Sequence, residues 1–293
     1  MGYTCDWAVV CYGGDDALLS SICYEGKNLG TSIIYCEKTR SVEDLVKSLW
    51  EKDDNLFSNG SSLLNGDHGY YPKPILLFNL LQHLPKYRWI WLMDDDIDIG
   101  SANITRFVTA VASPSLSPPI LIAQPLLKGF TSYSSLKWAT WLPENSSKAN
   151  STLSLCSDYE MKRITFVEMV APLFNAQFFH WFVTVVVPLI IRPMYLLEAD
   201  HGIDRIWCQT AKFFHEQQRQ KEVRRSVPIS ASASASSSVC GLFVSERDSI
   251  RHLSLKSFVA GKSQEASAQH AKNQSIMNEV MKAAFPEWFL HFY

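Results

Sequence analysis

The segment Trp89-Ile90-Trp91-Leu92-Met93-Asp94-Asp95-Asp96-Ile97-Asp98 runs an apolar stretch straight into three consecutive carboxylates, with a fourth two residues later. Like charges a few ångströms apart repel and raise one another's pKa, so this cluster at a strand end calls for a cation. In an open α/β sheet, ligands bind beyond the carboxyl ends of strands, which directs these groups toward a site. Clustered carboxylates supply the hard oxygen ligands that Mg²⁺ or Mn²⁺ prefers, and such ions complete their shells with water and substrate phosphates. The plain alternative is an acidic loop or helix N-cap with solvated charges.

A second constellation is Glu198, Asp200, His201 and Asp204 in LLEADHGIDRIWC. Gly202 marks a turn, and if the following helix extends back, Asp200 and Asp204 fall at i, i+4 on one face. One of them would then be a candidate general base for an acceptor hydroxyl. Ordinary helix capping by Asp200, or an ion pair from Asp204 to Arg205 or Lys212, explains the same residues. Glu168 interrupts the apolar run ITFVEMVAP, where burial without a partner is costly, so a polar role is expected. His252 in SERDSIRHLS is a lone His near the chain's end, a type more often satisfied or exposed than ligating.

Phosphate recognition has no motif of its own. There is no GxxxxGK[ST] and no GxGxxG after a strand; Gly13-Gly14 is a weak loop signal. A diphosphate would be held by a bridging metal and by basic side chains such as Lys73 or Arg106.

These residues need a scaffold, and the hydrophobic pattern supplies one. Continuously apolar runs at 7–11, 31–36, 88–93, 120–126 and 164–170 read as strands buried on both faces. Helices are expected at 42–52, 74–84, 102–112, 175–190 and 203–219. The alternation predicts an α/β fold: a mostly parallel central sheet flanked by helices, in one domain over 1–293. Residues 216–238, a charged run followed by a Ser/Ala tract, read as an exposed insertion. VCGLFV at 239–244 resumes the core, and 271–293 carries a closing amphipathic helix. The 293 residues, 47% hydrophobic and 12% aromatic, suffice for a large core.

Composition also excludes. With 27 Lys+Arg against 29 Asp+Glu, no basic face is forced, which argues against a nucleic-acid partner. The seven Cys include no CxxC pair and no zinc spacing, which argues against a disulfide scaffold or a structural zinc site, and most are expected as buried thiols. The N-terminus lacks signal-peptide features. The apolar stretch 178–191 falls short of the roughly 20 residues a bilayer requires and carries His180 and Pro188, so it reads as a buried helix, not a transmembrane span. The default compartment is the cytoplasm, with the Golgi lumen an option if a leader precedes the sequence. Five N-x-S/T sequons, at Asn59, Asn103, Asn145, Asn150 and Asn273, would be glycan acceptors in a secretory lumen.

Taken together, the apolar strand ending in Asp94-x-Asp96, the Glu168–Pro172 segment VEMVAP, the Gly202–Asp204 turn, and a C-terminal acidic residue (Glu246 or Asp248) with His252 resemble GT-A nucleotide-sugar glycosyltransferases. The order resembles more closely a plant and algal domain-of-unknown-function family labelled lysine-ketoglutarate-reductase trans-splicing related. The resemblance spans roughly 5–260 and implies a GT-A-like fold with a Rossmann-like nucleotide-binding half and an acceptor half. It departs from the family in the spacing before His252 and in the Ser/Ala tract at 230–238.

The resemblance implies that Asp96, with Asp94, coordinates Mn²⁺ or Mg²⁺, that Asp94 or Asp95 contacts the nucleotide, and that His252 completes coordination of the diphosphate-bound ion. Lys73 is the basic candidate for the diphosphate. Glu168 would position the donor sugar, and Asp204 or Asp200 would contact or activate the acceptor. The expected reaction moves a sugar from a UDP- or GDP-sugar to a hydroxyl of a glycan, glycoconjugate or small molecule. The competing readings are a metal-dependent phosphohydrolase or nucleotidyltransferase, distinguished by a second metal ion, and a non-catalytic carbohydrate-binding relative.

Overall fold

A computed structural model describes residues 7–11, 33–38, 87–94, 97–100, 102–128, 161–190, 203–225, 238–245, 247–253, 275 and 278–285. The chain divides into two compact units, residues 1–82 with 183–200, and residues 83–182 with 201–293. In the first unit, β1 (Trp7–Cys11) and β2 (Ile33–Lys38) pair in parallel, the second strand starting two residues later than the β-branched pattern predicts. The helices expected at 42–52 and 74–84 lie outside the described residues.

The second unit is built on a five-stranded sheet. Its strands are β3 (Trp89–Trp91), β5 (Ile122–Pro125), β7 (Met161–Ile164), β8 (Leu173–Asn175) and β9 (Cys240–Phe243), in the order β3-β8-β5-β9-β7. All four residues of β5 and all four of β9 are buried, as a strand covered on both faces requires, and these two strands run parallel. The other three pairings, β3 with β8, β5 with β8 and β7 with β9, are antiparallel. The protein therefore has mixed α/β content on a mixed sheet, where the apolar runs alone predict a mostly parallel one. A short strand buried on both faces has the same apolar composition in either direction, so its composition carries no sign of its partner's sense.

One face of the sheet is covered by α1 (Ile104–Val111). Phe107, Val108, Ala110 and Val111 are buried in a cluster with Ile120, Ala123, Leu173 and Phe243. Fully burying each large side chain contributes about 1.5–3 kcal/mol. Asn103 starts the helix by accepting the Arg106 backbone N–H at 2.9 Å. Aromatic rings continue this layer, Trp91 to Phe107 at 5.4 Å and Phe107 to Phe243 at 5.6 Å.

A second, larger aromatic layer involves α2 (Ala176–Trp181) and α3 (Asp204–Arg225). Asn175 caps α2 through bonds from the N–H groups of Gln177 and Phe178. Phe174 of β8 meets Phe179 at 5.0 Å and the edge of Trp207 at 5.0 Å. Phe178 and Trp181 pack on Phe214, and Trp181 and Phe213 meet Phe285. The C-terminal helix is thereby seated at 278–284, with Met281 buried. Beyond α2 the chain continues as a π-helical turn, Phe182–Val186, and helix at 187–190. No described helix is long and apolar enough to cross a membrane.

Three sequence expectations need correction. The run 164–170 is not a strand: β7 ends at Ile164, and Phe166–Val170 follows an irregular path. Its apolar residues are there, Val167 being fully buried, but the Val170 carbonyl takes the Asp94 N–H and not a ladder partner. The charged run after His215 is not a loop, because α3 continues to Arg225. Glu, Gln, Lys and Arg are good helix formers and can extend a helix into solvent without a buried face. Residues 226–237 lie outside the described residues.

Cysteine is the third correction. Cys208 of α3 and Cys240 of β9 form a disulfide with Cα atoms 5.7 Å apart, across 32 residues of sequence. A cross-link of that span stabilises by about 3–4 kcal/mol in the chain-entropy account. A pair joined by tertiary structure leaves no spacing signature, so a search for CxxC could not find it.

Candidate active site

Three segments that are far apart in sequence meet where the chain leaves the edge strand β3, enters β8 and runs on past β9. The first follows β3. Trp91 donates its indole Nε1–H to the carbonyl of Ala171 at 3.0 Å, Leu92 donates to Pro172 O at 3.0 Å, and Asp94 donates its backbone N–H to Val170 O at 3.2 Å. The chain at 91–94, which leads into the acidic triplet, is thus laid along Val170–Pro172.

The second contact is a small sheet. The strand β4 (Ile97–Asp98) pairs antiparallel with β10 (Ile250–His252), and β10 pairs in parallel with β6 (Leu127–Lys128). In this register His252 stands opposite Ile97, the residue following Asp96, and Arg251 stands opposite Asp98. The C-terminal His that looks isolated in sequence is therefore placed by backbone pairing opposite Ile97, the residue after the acidic triplet. Leu127, Ala171 and Ile250 form the apolar floor under this junction, with Met93, Ile97 and Val170 packed against it.

The carboxylates themselves are arranged differently from one another. Asp94 is half-buried, while Asp98 is exposed and closes a turn by accepting the Gly100 N–H at 2.8 Å. Asp98 is accordingly occupied locally, which separates it from the triplet. Asp95, Asp96 and Lys73 lie outside the described residues, as do Asp200, Glu198, His201 and Glu246. Glu168 is half-buried, and its backbone N–H is bonded to Gln124 Oε1.

Gln124 joins Glu168 to the sheet. It is 1% exposed on β5, its Oε1 takes the Glu168 N–H, and its Nε2 has no partner among the described residues. A buried amide donor left without an acceptor costs about 1–3 kcal/mol. The signal was a single Gln inside the apolar run ILIAQPL.

Two expected ligand-binding groups are engaged with each other. Asp248, almost fully buried, accepts from Arg106 Nη1 at 2.8 Å and from Ser245 Oγ at 2.8 Å. The Arg106 guanidinium also lies 5.9 Å from the Phe243 ring centroid. Arg106, expected as a cation for a diphosphate, instead meets a buried carboxylate and fastens α1 to the chain after β9. Asp248, expected as the acidic companion of His252, has its Oδ2 filled by the same pair.

Asp204 is the first residue of α3, three positions before Trp207, which packs on Phe174. A carboxylate in a helix's first turn is stabilised by the helix dipole, at about 0.3–1 kcal/mol. Because α3 begins at Asp204, the i, i+4 pairing with Asp200 is not displayed by the described helix.

Among the described residues, no three His, Cys, Asp or Glu side chains are gathered closely enough to hold a metal ion. The carboxylates the sequence nominates are the oxygen donors Mn²⁺ or Mg²⁺ prefers; backbone bonds join Asp94 to Val170 and pair Ile97, the residue after Asp96, with His252. No family model, curated protein or solved structure matches the chain.

Proposed function

We propose that the protein is a metal-dependent glycosyltransferase of GT-A type, moving a sugar from a nucleoside diphosphate donor to an acceptor hydroxyl. The single observation carrying this reading is the convergence of the acidic segment 94–98 with Glu168–Pro172 on one side and with β10, ending at His252, on the other. A metal site assembled from distant parts of the chain needs such a junction, whereas a solvated acidic loop does not.

In this reading Asp94 and Asp95 contact the nucleotide, Asp94, Asp96 and His252 hold the ion, and Lys73 meets the diphosphate. A divalent ion bound there supplies electrostatic stabilisation of the charge that develops on the leaving diphosphate. Glu168, whose main chain is fixed by Gln124, positions the donor sugar; the Gln124 amide is suited to donate a hydrogen bond to a sugar hydroxyl or to a carboxylate. Asp204 or Asp200 orients the acceptor or takes its proton.

The test is a thermal-shift panel of UDP- and GDP-sugars with and without Mn²⁺. A ligand that binds only the folded state raises stability by about 2.7 kcal/mol at one hundred times its Kd. The expected result is a rise in Tm that requires nucleotide and metal together. Indifference to every nucleotide in Mn²⁺ would overturn the proposal, and turnover of simple phosphoesters with two bound ions would replace it by a phosphohydrolase.

A further inference from the structure

Asn103 opens the sequence Asn103-Ile104-Thr105, and both Asn103 and Thr105 are exposed at the start of α1. The cap geometry decides which atom of the Asn103 amide faces outward. The Arg106 N–H needs an acceptor and takes Oδ1 at 2.9 Å, so Nδ2 is the atom left on the solvent side of the cap. Substitution at Nδ2 keeps the amide carbonyl, and with it the cap.

An independent feature of the fold bears on where such a modification occurs. The Cys208–Cys240 disulfide is buried between α3 and β9, and structural disulfides form and persist in oxidising compartments. The secretory lumen is also where N-x-S/T asparagines meet their glycan donor. Sequon, outward Nδ2 and disulfide agree on one environment.

We propose that Asn103 is an N-glycan acceptor on a chain that folds in an oxidising secretory lumen. The transfer breaks the bond between the anomeric carbon and the pyrophosphate of a lipid-linked oligosaccharide. A carbon–nitrogen bond forms to Asn103 Nδ2, one amide proton passes to a base, and the lipid pyrophosphate leaves. The glycan then projects from the N-terminus of α1, with the cap intact beneath it. This inference does not depend on the proposed transferase activity.

The test expresses the full chain behind a cleavable secretory leader in eukaryotic cells. The purified protein is treated with a glycan-removing amidase in heavy-oxygen water and mapped by peptide mass without reduction. The expected result is an isotope-labelled aspartate at position 103 and a linked Cys208–Cys240 peptide pair. Thr105→Ala should reduce label at 103 to background, while Thr105→Ser retains it; neither change touches the cap bond, and a thermal melt of each variant checks its fold. An unlabelled Asn103 in the folded wild-type chain, or equal label in Thr105→Ala, would overturn the proposal.

Discussion

The aromatic layer around Phe174, in the middle of β8, and the acidic junction around Asp94, just past the end of its partner β3, belong to one pair of strands and are held by opposite means. Phe174 is fully buried among Phe178, Phe179 and Trp207, so that region is specified by shape and apolar area. At the junction, the segment 91–94 is positioned by two backbone bonds, to Pro172 and Val170, and by the Trp91 indole bond to Ala171. A region held by side-chain packing cannot vary its side chains cheaply. A region held by its main chain can place charged groups that repel one another, because the scaffold does not need them to attract.

The sharpest way to break this contrast is Phe174→Ala. Removing a fully buried ring at the meeting point of β8, α2 and α3 is expected to cost about 3–5 kcal/mol, read from the denaturant midpoint at unchanged slope. A loss under about 1 kcal/mol would mean that the aromatic layer does not carry the fold.

Next in size is the disulfide. Reducing it, or replacing Cys208 and Cys240 by Ser and Ala, should lower stability by about 2–4 kcal/mol, measured by thermal melts in matched buffers. An unchanged Tm would show that α3 and β9 are held by packing alone.

Asp248→Asn probes the junction side. It leaves the Arg106 guanidinium without its carboxylate while conserving shape, and the expected cost is about 1–2 kcal/mol by chemical denaturation, moderated because Arg106 is partly exposed. Arg106→Lys together with Asp248→Asn should recover little, since lysine is a point charge and not a planar fork.

How much of this was legible beforehand follows the same division. Helix α1, strands β1, β5 and β9 and the start of α3 were readable, because apolar period and cap residues are local signals. The antiparallel entry of β8, the pairing of β4 with β10 and the Cys208–Cys240 bond were not, because each is decided between residues distant in sequence. The acidic triplet and Glu168 announced themselves by violating an apolar pattern. Gln124 violates it just as plainly in ILIAQPL, but an amide carries no charge that demands a partner. Arg106 and Asp248 were each legible as charged residues, and their union was not.

The smallest expected effect is one of pH. Burial, followed by the nearby positive charge of Arg219, holds the His215 imidazole below its ordinary value of 6.5, against the opposing pull of Glu216 and Glu222. The unfolded chain therefore binds a proton more readily than the folded one in that range, so this contribution to stability is present above about pH 6.5, declines as pH falls from there toward the lower folded value, and levels off below it. Melts between pH 7.5 and 5.5 should show a decline that His215→Leu reduces; an identical pH profile in that variant would assign the decline to other groups.

The central claim is that the acidic segment binds a divalent ion together with a nucleoside diphosphate. It is tested most directly by calorimetric titration of UDP and GDP, in Mn²⁺, into the wild-type chain and into Asp96→Ala. The account predicts one nucleotide and one ion bound per wild-type chain, with both lost in a variant whose melting curve is unchanged. Equal binding by Asp96→Ala, or no nucleotide bound by the wild type, would contradict it.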